Sequence, residues 1–172
     1  VTAEPILPVR LAVGLGLDTA GIGLLFALLV IIGAVLNPMV GAALNRVSPR
    51  LLALIGAALA IAGLLLLGAG SRLPVVIAGI GCLGAAIAFL VAPASTLIGV
   101  QGARTTPPAL GGAYSLYNLA YAAGLTLGPA TAGALTSALG YPAACAVLAG
   151  AVAVVAVVGF GRLPRSLSSS EV

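Results

Sequence analysis

The sequence has very few charged residues. Seven basic and three acidic side chains make up 6% of its 172 residues, and 62% of the residues are hydrophobic. A soluble domain usually has about 25% charged residues, so this chain has too little polar surface to cover a water-soluble fold of its size. The scarcity of charge predicts a protein that is integral to a membrane.

Lysine and histidine are absent, and cysteine occurs only twice. The basic residues are all arginines, scattered singly between apolar runs, which is not the clustered basic surface of a nucleic-acid-binding protein. Cys82 and Cys145, without histidine, argue against a metal site. The sequence also lacks the residues of a catalytic site: no span contains paired aspartates or a Ser/Lys pair, and no phosphate-binding loop is present. The sequence therefore predicts no enzyme activity and no metal.

Long apolar runs fill most of the chain. A bilayer core about 30 Å thick needs about 20 apolar residues of helix. The sequence therefore predicts an all-α membrane protein with six transmembrane helices, the first truncated, in one bundle over residues 1–161. The predicted spans cover about 1–14, 19–44, 51–70, 74–100, 112–139 and 142–161. Residues 162–172 form a polar tail. Because the chain starts at Val1 without an initiator methionine, we interpret it as a fragment of a longer protein or a truncated gene model.

The arginines predict an orientation. Five of them follow even-numbered spans, and two lie on the opposite side of the membrane. The first group is Arg46, Arg50, Arg104, Arg162 and Arg165, and the second is Arg10 and Arg72. Since positive charge accumulates in cytoplasmic loops, the C-terminus is predicted to be cytoplasmic in a multi-pass protein of the plasma or inner membrane.

Two predicted spans carry similar glycine and proline patterns. The second contains "GAVLNP" (Gly33 to Pro38), and the fifth contains "GLTLGP" (Gly124 to Pro129). A further glycine follows each, and small residues continue on the fifth span through Gly128 and Gly133. One interpretation is tight helix packing without a direct function, since small residues let helices approach closely in lipid. The other is a 3+3 pseudo-repeat, because paired interrupted helices are typical of transporters.

The fifth predicted span also carries a polar-aromatic face. Tyr114, Tyr117, Asn118 and Tyr121 fall at i, i+3, i+4 and i+7, which places them on one side of a helix. This side is predicted to line a cavity, where tyrosine rings can hold an organic cation. The alternative is an aromatic belt at the membrane interface, which fits Tyr114 but not the deeper Tyr121.

Three other residues are candidates on the grounds of polarity within apolar spans. Glu4 is the only carboxylate in such a span, and an ionisable group at membrane depth is a functional hypothesis by default. At position four it could instead reach water. Arg10 could pair with a carboxylate in the missing half, but we favour the interpretation that it snorkels to the headgroups. Asn37 is interpreted as a structural hydrogen bonder between helices.

Four stretches resemble one family. They are "EPILP" (4–8), "GAALNRVSPR" (41–50), "YSLYNLAYAAGLTLGP" and "GLTLGPATAG". In this order they resemble the C-terminal six-helix half of a major facilitator superfamily transporter, closest to drug:proton antiporters and vesicular amine transporters. The second resembles the cytoplasmic loop motif G-x-L-x-D-R-x-G-R-R, with Gly41, Asn45, Arg46 and Arg50 in matching positions. The fourth is similar to the antiporter signature G-x-x-x-G-P-x-x-G-G.

The chain also departs from the family patterns. Asn45 replaces the loop aspartate, Ser48 replaces a glycine and Pro49 an arginine. These changes favour the second half of the family fold, whose copy of the loop is often degenerate. Ala132 replaces the first glycine of the closing pair, and Asn118 stands where related amine transporters carry an aspartate.

The resemblance implies a function. It implies secondary active, proton-coupled efflux of small organic or drug-like molecules, with Glu4 as the coupling residue and a proton gradient in place of a bound cofactor. The expected partners are the lipid bilayer, a small-molecule substrate, and the missing N-terminal half or a second bundle. The alternatives are a non-transporting membrane scaffold, a truncated remnant, or a uniporter or symporter of small solutes.

Overall fold

The computed structural model describes residues 11–12 and 16–160, which form long helices joined by short connections. The helices are α1 (Thr19–Ala43), α2 (Pro49–Ala69), α3 (Leu73–Arg104), α4 (Leu110–Leu139) and α5 (Tyr141–Phe160). The all-α class is confirmed. The count of six helices and the 3+3 repeat stay predictions, since most of the first predicted span lies outside the described residues.

The helix ends follow local sequence signals. The Asp18 carboxylate caps α1 by accepting a hydrogen bond from the Gly21 N–H at 2.9 Å. The Ser48 hydroxyl accepts from the Leu51 N–H at 3.3 Å, and Pro49 starts α2, where its missing N–H costs nothing. Between α4 and α5 the chain turns at Gly140, whose φ of 79° suits glycine.

The helices differ in how apolar they are. Four of the five described helices, α1, α2, α3 and α5, are long and apolar enough to cross a membrane. The exception is α4, which at 30 residues is long enough, being about 45 Å in length. Its tyrosines, threonines, serines and asparagine lower its hydropathy. A helix of this kind needs protein or water beside part of its surface, because polar groups are costly against acyl chains.

α3 lies at the centre of the packing. It contacts α1, α2 and α4, whereas α5 packs against α2 and α4. The buried side chains that α1, α2 and α3 share fall into two clusters. The first contains Leu11, Leu25, Leu29, Leu67, Val76 and Ile80, and the second contains Val40, Leu44, Leu52, Ala88 and Ala92. Leu11, which belongs to the first predicted span, is only 1% exposed and so joins the core.

Glycines bring the backbones of α1, α2 and α3 together. A methyl group at Gly84 of α3 would lie 2.6 Å from the Leu29 carbonyl oxygen of α1. Gly63 of α2 and Gly79 of α3 face each other, and a methyl group on Gly63 would lie 2.9 Å from the Gly79 carbonyl oxygen. These contacts hold the helices by close packing, which is the main source of helix association in lipid.

Gly84→Ala is expected to destabilise the bundle, because the added methyl group must push the backbone of α1 away. Overpacking of this kind lowers the free energy of unfolding by about 1–3 kcal/mol. Gly81→Ala is the matched control on the same helix, since its methyl group would meet only the end of the Ile32 side chain, at 3.7 Å. Reversible denaturant titration in lipid or mild detergent measures both. Equal losses for the two variants would contradict this account of the α1–α3 contact.

Candidate functional site

The N-terminal part of α4 is held against α3. The Tyr114 hydroxyl donates a hydrogen bond to the Ser95 carbonyl oxygen of α3 at 3.2 Å. Nearer the connection, a methyl group at Gly102 of α3 would lie 2.8 Å from the Ala113 Cβ. The side of α4 that carries Tyr114 is therefore directed at the bundle.

The same side of α4 meets the bundle again further along. Ala132 follows Tyr114 by about five helical turns, so it lies on the same side of the helix. It is the one buried residue of α4, at 2% exposed. Together, Tyr114 and Ala132 mark the side of α4 that faces its neighbours at both ends of the helix.

Between these two contacts lie Tyr117, Asn118 and Tyr121, on or close to the same side of the helix. We call these three residues the tyrosine stripe. Tyr121 is 50% exposed, Asn118 is exposed, and Tyr117 is half-buried. The rings of Tyr117 and Tyr121 stack at a centroid distance of 6.3 Å and an interplanar angle of 19°. The described helices therefore leave the middle of this side of α4 largely uncovered.

The opposite side of α4 carries exposed leucines. Leu116, Leu119 and Leu127 are 71%, 68% and 62% exposed. They lie roughly half a turn away from the tyrosine stripe. Aliphatic side chains are suited to lipid, and the tyrosines and Asn118 are on the side that faces the bundle.

The tyrosine stripe is a neutral, polar and aromatic surface. Two stacked rings offer their faces and hydroxyls. The Asn118 amide, a donor and an acceptor, makes no hydrogen bond to any residue in the described ranges. Aromatic faces attract organic cations without needing a carboxylate. The cavity on this side of α4 stays a prediction, and the aromatic belt at the membrane interface stays the alternative.

A comparison with protein-family models identifies the superfamily of the chain. A model of the Major Facilitator Superfamily matches residues 2–171. The chain belongs to this superfamily. Its members are membrane transporters and not enzymes, and the chain is a multi-pass membrane protein. Comparisons with curated proteins and with solved structures gave no match.

In this superfamily member, two glycines of the glycine and proline pattern on α4 have no close neighbours. Methyl groups at Gly124 or Gly133 would meet no atom within 4 Å. Gly128 and Pro129 are half-buried, and α4 continues through Pro129. The described helices therefore make no close contact at Gly124 or Gly133, and the packing or conformational role of these residues stays a prediction.

The related pattern on α1 has different surroundings. A methyl group at Gly33 would lie 3.3 Å from the Gly84 carbonyl oxygen, so this glycine lies at the α1–α3 contact. Asn37 and Pro38 are exposed, and α1 continues through the proline. No described residue forms a hydrogen bond with the Asn37 side chain.

The loop motif forms a tight turn between α1 and α2. The backbone N–H groups of Arg46 and Val47 both donate to the Ala43 carbonyl oxygen, at 2.9 and 2.8 Å. Asn45 and Arg46 are exposed, whereas Gly41 and Arg50 are half-buried. The turn presents the Arg46 side chain at the end of the bundle.

Several sequence candidates lie outside the described residues. These are Glu4, Arg10, Arg162 and Arg165. The proton-coupling role of Glu4 stays a prediction.

Sequence reasoning missed the part of α3 that meets Tyr114. Pro93 is buried inside α3, and Ser95 and Gly99 follow it within two turns. The stretch "APASTLIG" carries the signal, since a proline followed by Ser and Thr in a helix indicates a bend.

The exposure of α4 yields a prediction about water access. In a background without Cys82 and Cys145, we expect a charged, membrane-impermeant thiol reagent to modify N118C faster than L119C. The reason is that the reactive thiolate forms in water and not in lipid. A rate ratio of about ten or more is expected, because a buried charge in lipid costs several kcal/mol. Mass spectrometry of the reconstituted protein gives both rates. Faster modification of L119C would place the tyrosine stripe against lipid.

Proposed function

We propose that this superfamily member acts as the C-terminal six-helix bundle of a secondary active transporter that exports small organic or drug-like molecules in exchange for protons. The observation that carries the proposal is the tyrosine stripe: a polar, aromatic and uncovered surface on the bundle side of a helix whose opposite side is leucine-rich.

Membrane energetics support a water-accessible path beside α4. Polar groups within a bilayer are found where they face protein or a water-filled cavity. Asn118 and the tyrosines would be poorly placed against acyl chains, whereas Leu116 and Leu119 are well placed there. An aqueous cavity on the stripe side and lipid on the leucine side satisfies both surfaces of α4.

The composition of the stripe favours organic cations as substrates. Two stacked tyrosine rings provide cation–π attraction, worth about 0.5–2 kcal/mol. Asn118 adds a neutral hydrogen-bonding group. Neutral recognition of this kind suits a transporter that accepts chemically varied, hydrophobic cations.

Alternating access requires a second bundle. In transporters of this superfamily, substrate binds near the bilayer midplane between two halves that rock against each other. The partner proposed here is an N-terminal six-helix half or a second bundle, which would cover the open side of α4. Pro38 and Pro129 would allow α1 and α4 to bend as the halves move.

Proton coupling is assigned to Glu4. It is the only carboxylate within a predicted apolar span, so it can carry a proton between the two sides of the membrane. The proton gradient is then the energy source, and no bound cofactor is required.

The orientation follows from charge. Short connections reverse the chain between successive helices, so Arg46, Arg50 and Arg104 lie at one end of the bundle and Arg72 at the other. We assign the end with three arginines to the cytoplasm of a cell with a plasma or inner membrane. The C-terminus then lies in the cytoplasm as well.

Transport assays in vesicles test this function. Vesicles containing the complete transporter are expected to move a cationic dye when a proton gradient is applied. Tyr121→Ala is expected to raise the apparent KM for the dye about three- to thirtyfold, the loss of one cation–π contact. Leu119→Ala is the matched control on the lipid side of α4 and should leave the KM unchanged. Glu4→Gln is expected to abolish the dependence on the proton gradient.

Three outcomes would contradict the proposal. Equal effects of Tyr121→Ala and Leu119→Ala would remove the tyrosine stripe from the substrate path. Unchanged transport and unchanged pH dependence in Glu4→Gln would favour a uniporter or a symporter of small solutes. A complete absence of transport by the wild-type protein would favour a membrane scaffold.

A further inference from the structure

The connection between α3 and α4 is a structured corner. The Ala109 N–H donates to the Gly102 carbonyl oxygen at 2.9 Å, and the Thr105 hydroxyl donates to the same oxygen at 2.9 Å. The Ala109 N–H also donates to the Thr105 hydroxyl oxygen at 2.8 Å. Gly102 is buried, with Leu110 and Ala113 against it. The two helices are therefore fixed to each other where the chain passes between them.

Tyr114 adds a second attachment one turn further into α4. Its hydroxyl donates to the Ser95 carbonyl oxygen and lies directly over Gly99, where a methyl group would be 3.0 Å from the hydroxyl oxygen. The ring carbon that bears the hydroxyl would be 3.8 Å from that methyl group, an ordinary contact. Gly99 thus makes room for the tyrosine hydroxyl and not for the ring.

α3 lacks one backbone hydrogen bond close to the point that accepts this hydroxyl. Pro93 has no N–H, so the helical hydrogen bond to the Phe89 carbonyl is missing. The Ser95 and Thr96 hydroxyls both donate to the Ala92 carbonyl oxygen at 3.0 Å, an arrangement that bends helices. A point at which α3 lacks a backbone hydrogen bond therefore lies immediately before the two residues that Tyr114 contacts.

We propose that Tyr114 is a positioning residue that stiffens α3 after Pro93 by bonding Ser95 across Gly99, so that α3 beyond Pro93 and the first turns of α4 move as one unit. Tyr114 would then act on the backbone of α3 and not on a substrate. This inference does not depend on the proposed transport, because the attachment is a property of the helix pair alone.

Amide hydrogen–deuterium exchange of the full protein in lipid nanodiscs tests the inference. Tyr114→Phe keeps the ring and removes the hydrogen bond. It is expected to speed exchange about fivefold in peptides covering residues 95–104 and 110–117, as expected for the loss of one typical hydrogen bond. Peptides from α2 should exchange at the wild-type rate and serve as the internal measure of correct folding.

Gly99→Ala provides the second arm of a double-mutant cycle. Its methyl group displaces the tyrosine hydroxyl, so it should speed exchange in the same peptides by a similar factor. Combined with Tyr114→Phe it should add nothing, since the ring alone leaves room for the methyl group. Gly111→Ala in α4, where a methyl group would meet no atom within 4 Å, is the control and should leave exchange unchanged.

The outcomes are distinct. Non-additive effects of Tyr114→Phe and Gly99→Ala support the attachment. Wild-type exchange in Tyr114→Phe overturns it, and so does a double variant in which the two effects multiply. Because the readout is local exchange and not dye movement, failure here leaves the transport proposal standing, and the reverse also holds.

Discussion

Close approach of helix backbones is the constraint on which the rest of the bundle depends. In lipid, apolar side chains gain little by leaving their surroundings, so helices are held mainly by dense packing. α3 satisfies this need in two directions, with Gly84 against the Leu29 carbonyl of α1 and Gly79 against Gly63 of α2. The three helices form a unit around these contacts, and α4 and α5 pack onto that unit.

α4 is attached to the bundle in a different way. It is held by a hydrogen bond from Tyr114 and by small-residue contacts at Gly102 and Ala132, but not along its whole length. Most of its surface is exposed, and its tyrosines and Asn118 lie on the side facing the bundle. A helix attached at intervals can present a binding surface that a fully packed helix would have to bury. The fold thus combines three helices that pack through glycines with one helix that exposes polar and aromatic side chains.

Hydropathy predicts much of this fold, because a bilayer permits few alternatives to apolar helices. It places α1, α2, α3 and α5, and the 3.6-residue period places Tyr114 and Tyr121 on one side of α4. It does not predict which neighbour each residue meets. Gly84 and Gly124 look alike in the sequence, yet one touches a backbone and the other faces open space. Nor does spacing show that the Tyr114 hydroxyl is bonded to Ser95, since that depends on the path of α3.

The two clusters of buried side chains have a consequence for permeability. Between them, at the level of Gly33 and Gly84, the backbones of α1 and α3 approach each other closely, with the Ile32 side chain of α1 beside the contact. A water molecule or a small solute has no space to enter at that level unless whole helices separate. This contact therefore closes the space between α1 and α3 at that level.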